Sequence, residues 1–172
     1  MLHPEYHFDN NRLTAGASYI RRQRDLALHN LKQHKPRPAW QAFGRLLHAA
    51  QDFYAHTNYV RLWIALHTGP PELTAPPDLI DPLTPRLLDS KDLYSGRLDW
   101  FWETISRVPG LQAYAQRRAP DGSHYCMNLD SPEQGPLFAY AYHAALKRTQ
   151  VEHTQIRVDL APTLHAVFDG SG

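Results

Sequence analysis

The sequence predicts an all-α fold, and three observations carry that expectation. Apolar residues return at three- and four-residue steps over two long stretches near the start of the chain and one near its end, the spacing of an amphipathic helix. Clusters of Pro, Gly and Asp punctuate those stretches, as residues that end or begin helices should. No convincing run alternates apolar and polar residues with the two-residue period of a strand.

The first helix is expected over about 11–33, where Leu13, Ala17, Ile20, Leu28 and Leu31 form the apolar stripe and Arg21, Arg22 and Asp25 lie between them. Asp9 or Asn10 is placed to cap it. Lys35-Pro36-Arg37-Pro38 ends that helix, and Pro38 suits the first turn of the next. A second helix is expected over about 39–65, with Trp40, Phe43, Leu47, Ala50 and Tyr54 facing the core. Six prolines then fall within 69–86, a density that removes donors and holds the backbone extended. That stretch reads equally as a surface excursion or as a lid.

Trp100, Phe101, Trp102 and Ile105 mark a short aromatic helix, 111–117 another, and Pro120-Asp121-Gly122 a turn. Asp130-Ser131-Pro132-Glu133 is a helix-start signal ahead of the last long helix, about 137–159, with a short one over 163–168. At 172 residues the chain suits one domain with a sizeable core, 1–172.

Composition narrows the function classes. A formal net charge of +1 supplies no basic field for nonspecific phosphate-backbone binding, so nucleic acid is not the favoured partner. The single cysteine, Cys126, excludes an intrachain disulfide, leaving packing or metal to hold the fold. The stretch 1–11 is polar and no apolar run reaches the roughly 18 residues of a membrane span, so a cytoplasmic location is expected. Eleven histidines are an excess that points to metal, since imidazole is the commonest metal ligand.

The histidines concentrate meaning in one segment. His48, Asp52 and His56 recur at i, i+4 and i+8 of the second helix. Four residues turn a helix by about 400°, so the three share one face and drift roughly 80° from first to last. His48 and His56 are then about 12 Å apart along the axis, too far to chelate one ion together, and the spacing favours two ions with Asp52 between them. Two readings fit: a metal site, or a hydrogen-bonded network of histidines around an aspartate. The rest of the helix is aromatic and aliphatic, and a carboxylate buried there calls for a cation or for neutralisation.

The segment Phe43-Gly44-Arg45-Leu46-Leu47-His48 through Gln51-Asp52-Phe53-Tyr54-Ala55-His56-Thr57-Asn58-Tyr59-Val60 resembles the signature of the heterokaryon-incompatibility protein Het-C family. Further matches are His7-Phe8-Asp9-Asn10, and His124 followed by Asn128, Asp130 and Pro132, in the family's order over about 125 residues. Het-C domains are in turn similar to zinc-dependent phospholipases C and to single-strand-specific zinc nucleases. The resemblance implies the helical fold of those enzymes, with His7, His48 and Asp52 on one zinc ion and His56 and His124, with Asp130, on a second.

It also implies hydrolysis of a phospholipid or related phosphodiester, with Asp52 and Asp9 at the reacting centre and Tyr54, Asn58 and the proline-rich segment shaping the pocket. Asp9 has the alternative role of helix cap, Asn58 that of a hydrogen bond to backbone, and Tyr54 and the Trp100–Trp102 cluster that of core. His143 reads as a further site residue or as a core histidine. The pattern departs from the phospholipases in lacking ligands for a third zinc and a His-x-x-x-Glu pair after the central helix. A zinc-stabilised recognition module in defence signalling, a single-strand nuclease, contact with a membrane surface and a partner protein or domain therefore stay open.

Overall fold

The computed structural model describes residues 3–65 and 90–170. Eight α-helices and no strand are found among them, so the all-α expectation holds. The proline-rich stretch 69–86 lies outside the described residues. Among the described residues no helix is long and apolar enough to cross a membrane.

α1 (Leu13–Lys32) and α2 (Pro36–His56) pack against each other, and α7 (Leu137–Val158) packs against α2. A turn of three residues joins α1 to α2, with His34 in the left-handed region at φ 53°. The main core lies between these helices: Ile20 from α1, Leu46, Ala49, Ala50 and Phe53 from α2, and Ala141 and Ala144 from α7 are all buried. Alanines on the facing stripes let the helices approach closely, and aromatic rings fill the remaining volume. A second cluster joins Ala27 and Leu31 of α1, Ala39 and Ala42 of α2, Ile156 of α7 and Phe168 of α8 (His165–Asp169).

The stripe of α2 differs from the expected one. Trp40 is exposed over 45% of its surface, and Phe43 and Leu47 are only partly buried. Small residues at 39, 42, 49 and 50 take the innermost positions, and Trp40 lies at the edge with its indole N–H donating to the Phe168 carbonyl at 2.9 Å. The expected single helix over 39–65 is also two. α2 stops at His56, Thr57 is extended (φ −108°, ψ 165°), and α3 (Tyr59–Ala65) begins afresh. The Thr57 hydroxyl donates to the Phe53 carbonyl and accepts from the Tyr59 amide, serving one helix end and the next helix start.

Asp9 does not cap α1; Arg12 occupies the N-cap and no side chain caps the helix. The aromatic helix and the one after it fall where the sequence puts them, while the short helix at His124 replaces an expected loop. α4 (Trp100–Ser106) is capped by Asp99, whose carboxylate accepts from the Phe101 amide, and α5 (Gln112–Arg118) packs against it. α6 (His124–Met127) is capped by Ser123.

An extended segment, 94–98, ties these pieces together. The Gly96 amide donates to the His56 carbonyl at 3.0 Å, the Asn10 amide to the Gly96 carbonyl at 2.8 Å, and the His124 amide to the Arg97 carbonyl at 2.9 Å. Isolated bridges pair Thr57 with Ser95 and Arg97 with Ser123. The Asn10 and Asn11 side-chain carbonyls accept from the Leu98 and Ser95 amides at 2.8 and 2.7 Å. One short stretch of backbone thus joins the loop before α1, the end of α2 and the start of α6, the places that carry His7, His56 and His124.

Candidate metal centre

His7 and Asp9 enter the site from a left-handed turn. Phe8 has φ 59°, a region that disfavours an aromatic residue, and Asn10 and Asn11 follow at 57°. What holds this turn is the Phe8 ring, fully buried against Gly16 of α1 and 5.4 Å from the Phe53 ring. With Phe8 pinned inward, its two neighbours face the end of α2. A Cβ on Gly16 would stand 2.8 Å from the Phe8 ring, so the turn depends on glycine there.

The ladder on α2 runs from solvent to interior. The His48 side chain is 59% exposed, while Asp52 and His56 are buried. His7 Nδ1 lies 2.8 Å from Asp52 Oδ2, His48 Nε2 lies 3.2 Å from His7 Nδ1, and His48 Nε2 lies 3.4 Å from Asp52 Oδ2. Ligand atoms about 2.0–2.1 Å from a tetrahedral ion are roughly 3.3 Å apart, so these three atoms are spaced as one face of such a shell. His7, His48 and Asp52 are one group that could hold a metal ion.

Two more groups continue inward: Asp52 with His56 and Asp130, and Asp9 with His56 and His124. His48 and His56 share no group, and Asp52 belongs to both the first and the second, the bridging position its place in the ladder suggests. His56 Nε2 lies 3.2 Å from Asp130 Oδ2. His56 Nδ1 faces only acceptors, the His7 carbonyl at 3.1 Å and Asp9 Oδ1 at 3.4 Å, so Nδ1 carries a proton and donates it to His7 O. Nε2 is then the atom His56 can offer to a cation, which directs it to the Asp52 and Asp130 side.

The third group is anchored from outside the predicted set. His124 Nδ1 lies 2.8 Å from Glu103 Oε1, and its Nε2 lies 3.7 Å from Asp9 Oδ1. Glu103 was not singled out from the sequence; it stands on the aromatic helix α4, 21 residues before His124, and only its position as the one acid inside that helix could have drawn notice. Asp9 Oδ1 is buried and makes no hydrogen bond. A buried carboxylate oxygen without a donor is costly, and a cation beside it, held by Asp9 and His124 Nε2 and not by the protonated Nδ1 of His56, would relieve it.

Four carboxylates, Asp9, Asp52, Glu103 and Asp130, therefore interleave with four imidazoles. Burial alone would push the His56 imidazolium down, but the hydrogen bond to Asp130 and the carboxylates of Asp9 and Asp52 outweigh it and raise its pKa to about 10. The hydrogen bond to Asp52 raises His7 against its own burial, and the His56 partner lowers Asp130. The cluster demands positive charge at its centre, and a proton on His56 meets that demand where no ion does. The same side chains thus form a hydrogen-bonded network when protonated and, deprotonated, would offer ligands to a metal ion.

The remaining candidates lie elsewhere. Asn58 is buried with its amide spent on backbone, donating to the Asp92 carbonyl at 2.8 Å and accepting from the Tyr94 amide at 2.9 Å. Tyr54 is fully buried beside Phe53 and Tyr59. Of the two roles the sequence left open for each, the structure shows the backbone hydrogen bond for Asn58 and the core position for Tyr54. His143 joins none of the three groups; its ring lies 5.6 Å from that of Tyr142. Beside Asp52 and Asp130 opens a cavity of about 400 Å³ whose far wall is Phe138, Ala141, Tyr142 and Leu146.

Residues 1–77 match the family described as the VWA7 N-terminal domain. The matched stretch carries His7, Asp9, His48, Asp52 and His56 and stops short of Glu103, His124 and Asp130. No curated protein and no solved structure matches the chain.

Proposed function

We propose that this protein is a zinc-dependent phosphodiesterase of phospholipase C type, holding two zinc ions on the shared Asp52 carboxylate. The observation that carries the reading is the arrangement around Asp52: one oxygen-bearing group belongs to two clusters of ligand atoms, and both clusters reach solvent, through His48 on one side and Asp130 on the other. A structural zinc site is closed by four protein ligands, whereas a catalytic one keeps a position open. Three protein ligands in each group, with an exposed member in each, fit the open kind. The donor set, imidazole nitrogen with carboxylate oxygen and no thiolate, suits zinc. The resemblance to Het-C domains supports the assignment of His7, His48 and Asp52 to one ion and of His56 with Asp130 to the other; it adds His124 to that second ion, whereas in the geometry His124 groups with Asp9 and His56 and not with Asp130.

Zinc at these groups would supply Lewis acidity towards phosphate oxygens and acidify water to near neutrality. The chain's own residues do the rest. Asp52 balances charge between the two groups, and the His7 carbonyl fixes the His56 tautomer. Asp9, with one buried oxygen not hydrogen-bonded, holds a proton acceptor against His56 and His124. The cavity beside Asp52 and Asp130 gives the substrate a pocket whose far side is apolar.

The test is zinc stoichiometry by elemental analysis together with phosphatidylcholine hydrolysis, before and after chelation, alongside a single-stranded DNA arm. Zinc-dependent release of the phosphorylated head group supports the reading. Zinc-loaded protein that cleaves only DNA makes it a nuclease, and zinc-loaded protein that cleaves neither makes it a recognition module.

A further inference from the structure

The α4–α5 hairpin turns apolar side chains outward in a way the metal groups do not use. Trp100 and Phe101 are 59% and 55% exposed, and Val108, Leu111 and Tyr114 follow within the same 15 residues. These are five of the twelve large hydrophobic side chains exposed among the described residues, so the exposure is concentrated on this hairpin. The hairpin's inward side is already satisfied: Ala115 is buried and Glu103 bonds to His124.

Positive charges outnumber negative ones around the patch. Arg97, Arg107, Arg117 and Arg118 are all exposed, against exposed Asp99, which caps α4, exposed Asp121 in the turn after α5, and Glu103, which bonds to His124. None of the four arginines forms an ion pair among the described residues. A recess of about 670 Å³ with Arg97 at one side and Trp100 at the other lies at the start of the hairpin. The chain as a whole carries only +1, so this basic rim is local.

We infer that the α4–α5 hairpin is a docking surface for an anionic phospholipid bilayer, with Trp100, Phe101 and Tyr114 entering the interface and the four arginines meeting lipid phosphates. Indole and phenol rings favour the boundary between head groups and acyl chains, where an apolar body and a polar edge are both accommodated. Guanidinium groups pair with phosphate through two parallel hydrogen bonds, and anionic lipid gathers such groups at its surface. An exposed basic rim disfavours self-association through the same face, because two copies would bring eight like charges together.

The experiment is sedimentation of the full chain with vesicles of phosphatidylcholine alone or mixed with phosphatidylserine, in EDTA, so that hydrolysis plays no part and the surface is judged apart from the proposed activity. Binding to the mixed vesicles, weakened by salt and accompanied by a blue shift of tryptophan emission, is expected. The double variant Trp100→Ala/Phe101→Ala should bind about tenfold or more weakly, and Arg117→Gln/Arg118→Gln should lose the preference for phosphatidylserine, both with unchanged circular dichroism. The inference is overturned by absence of vesicle binding, by binding that both double variants retain, or by a dimer in sedimentation that Trp100→Ala/Phe101→Ala dissolves.

Discussion

Gly96 sits against the backbone of His124 so closely that a Cβ added to it would lie 2.6 Å from the His124 Cα. The neighbour in the way is main chain and not a flexible side chain, so it can yield only by moving. Gly96 also donates to the His56 carbonyl and accepts from the Asn10 amide, and any shift is therefore passed to the His7–Asp9 turn and the end of α2. Gly96→Ala should destabilise the fold by about 1–3 kcal/mol and weaken zinc binding at the His56 and His124 side. Gly44→Ala is the control, since nothing lies within 4 Å of its Cβ on an exposed face of α2, and it should stabilise by about 0.4–1 kcal/mol. Thermal melts of the two variants check this; equal melting temperatures would sink the argument.

The metal-free protein should lose stability as the pH rises. His56 has its pKa raised from 6.5 to about 10, so its contribution is complete below pH 6.5 and disappears as the pH climbs through about 10. His7 is shifted in the same direction. Asp130 is lowered from 3.8, so its share is present above that value and is lost as the pH falls through its lower folded pKa. EDTA-treated protein is expected to melt highest between roughly pH 4 and 6.5. Zinc should flatten the alkaline limb, because it replaces the proton His56 gives up, and calorimetry in buffers of different ionisation enthalpy should show proton release on binding. A melting temperature that is level from pH 6.5 to 10 without metal would remove the reading of His56 as the cation of the empty cluster.

What could be read from the sequence is what depends on local spacing. His48, Asp52 and His56 lie on one helix, where 3.6 residues per turn alone decides that they share a face. The lengths of α1 and α7 follow from their stripes in the same way. The end of α2 could not be read, because neither Gly nor Pro stops it; the stop comes from Asn58 and Thr57 pairing with Tyr94 and Ser95, about 37 residues away. Glu103 was hidden for the same reason. Its partner is fixed by the path of segment 94–98, and that path is set by hydrogen bonds whose two ends are far apart in the chain. Asp9 shows the converse error: a cap residue by local rules, it is carried off to the histidines by a turn that needs Phe8 in a left-handed conformation.

Asp52 and His48 should respond differently to removal. His48 is mostly exposed and contributes one nitrogen to one group, so His48→Ala should weaken a single zinc ion and leave the melting temperature of the metal-free protein within about 1 °C, as expected for a surface change of under 0.5 kcal/mol. Asp52 is buried and shared, so Asp52→Asn should reduce zinc stoichiometry at both groups while the amide preserves the volume. Elemental analysis of the two dialysed variants separates the cases. If Asp52→Asn loses no more zinc than His48→Ala, the carboxylate does not bridge.

Glu103 and His124 form the outermost link of the cluster, and if zinc is bound as proposed, Glu103 is expected to position His124 and not to ligate. Its Oε1 accepts from His124 Nδ1, which leaves Nε2 directed at Asp9. A carboxylate behind a ligating imidazole fixes the ring and raises its basicity, and losing such a partner typically costs about 10–100-fold in metal affinity. Glu103→Gln keeps an acceptor oxygen but removes the charge, so zinc affinity at the His124 side should fall by roughly tenfold, while Glu103→Ala, which also frees the ring, should fall towards a hundredfold. Competition with a chromophoric chelator reads both values, and the His7, His48 and Asp52 group provides the internal reference because Glu103 touches none of them. A graded loss confined to the ion on the His124 side, with Gln better than Ala, is the signature of positioning. Equal and complete loss in both variants would instead make Glu103 a ligand, and no loss in either would leave it a structural contact of α4.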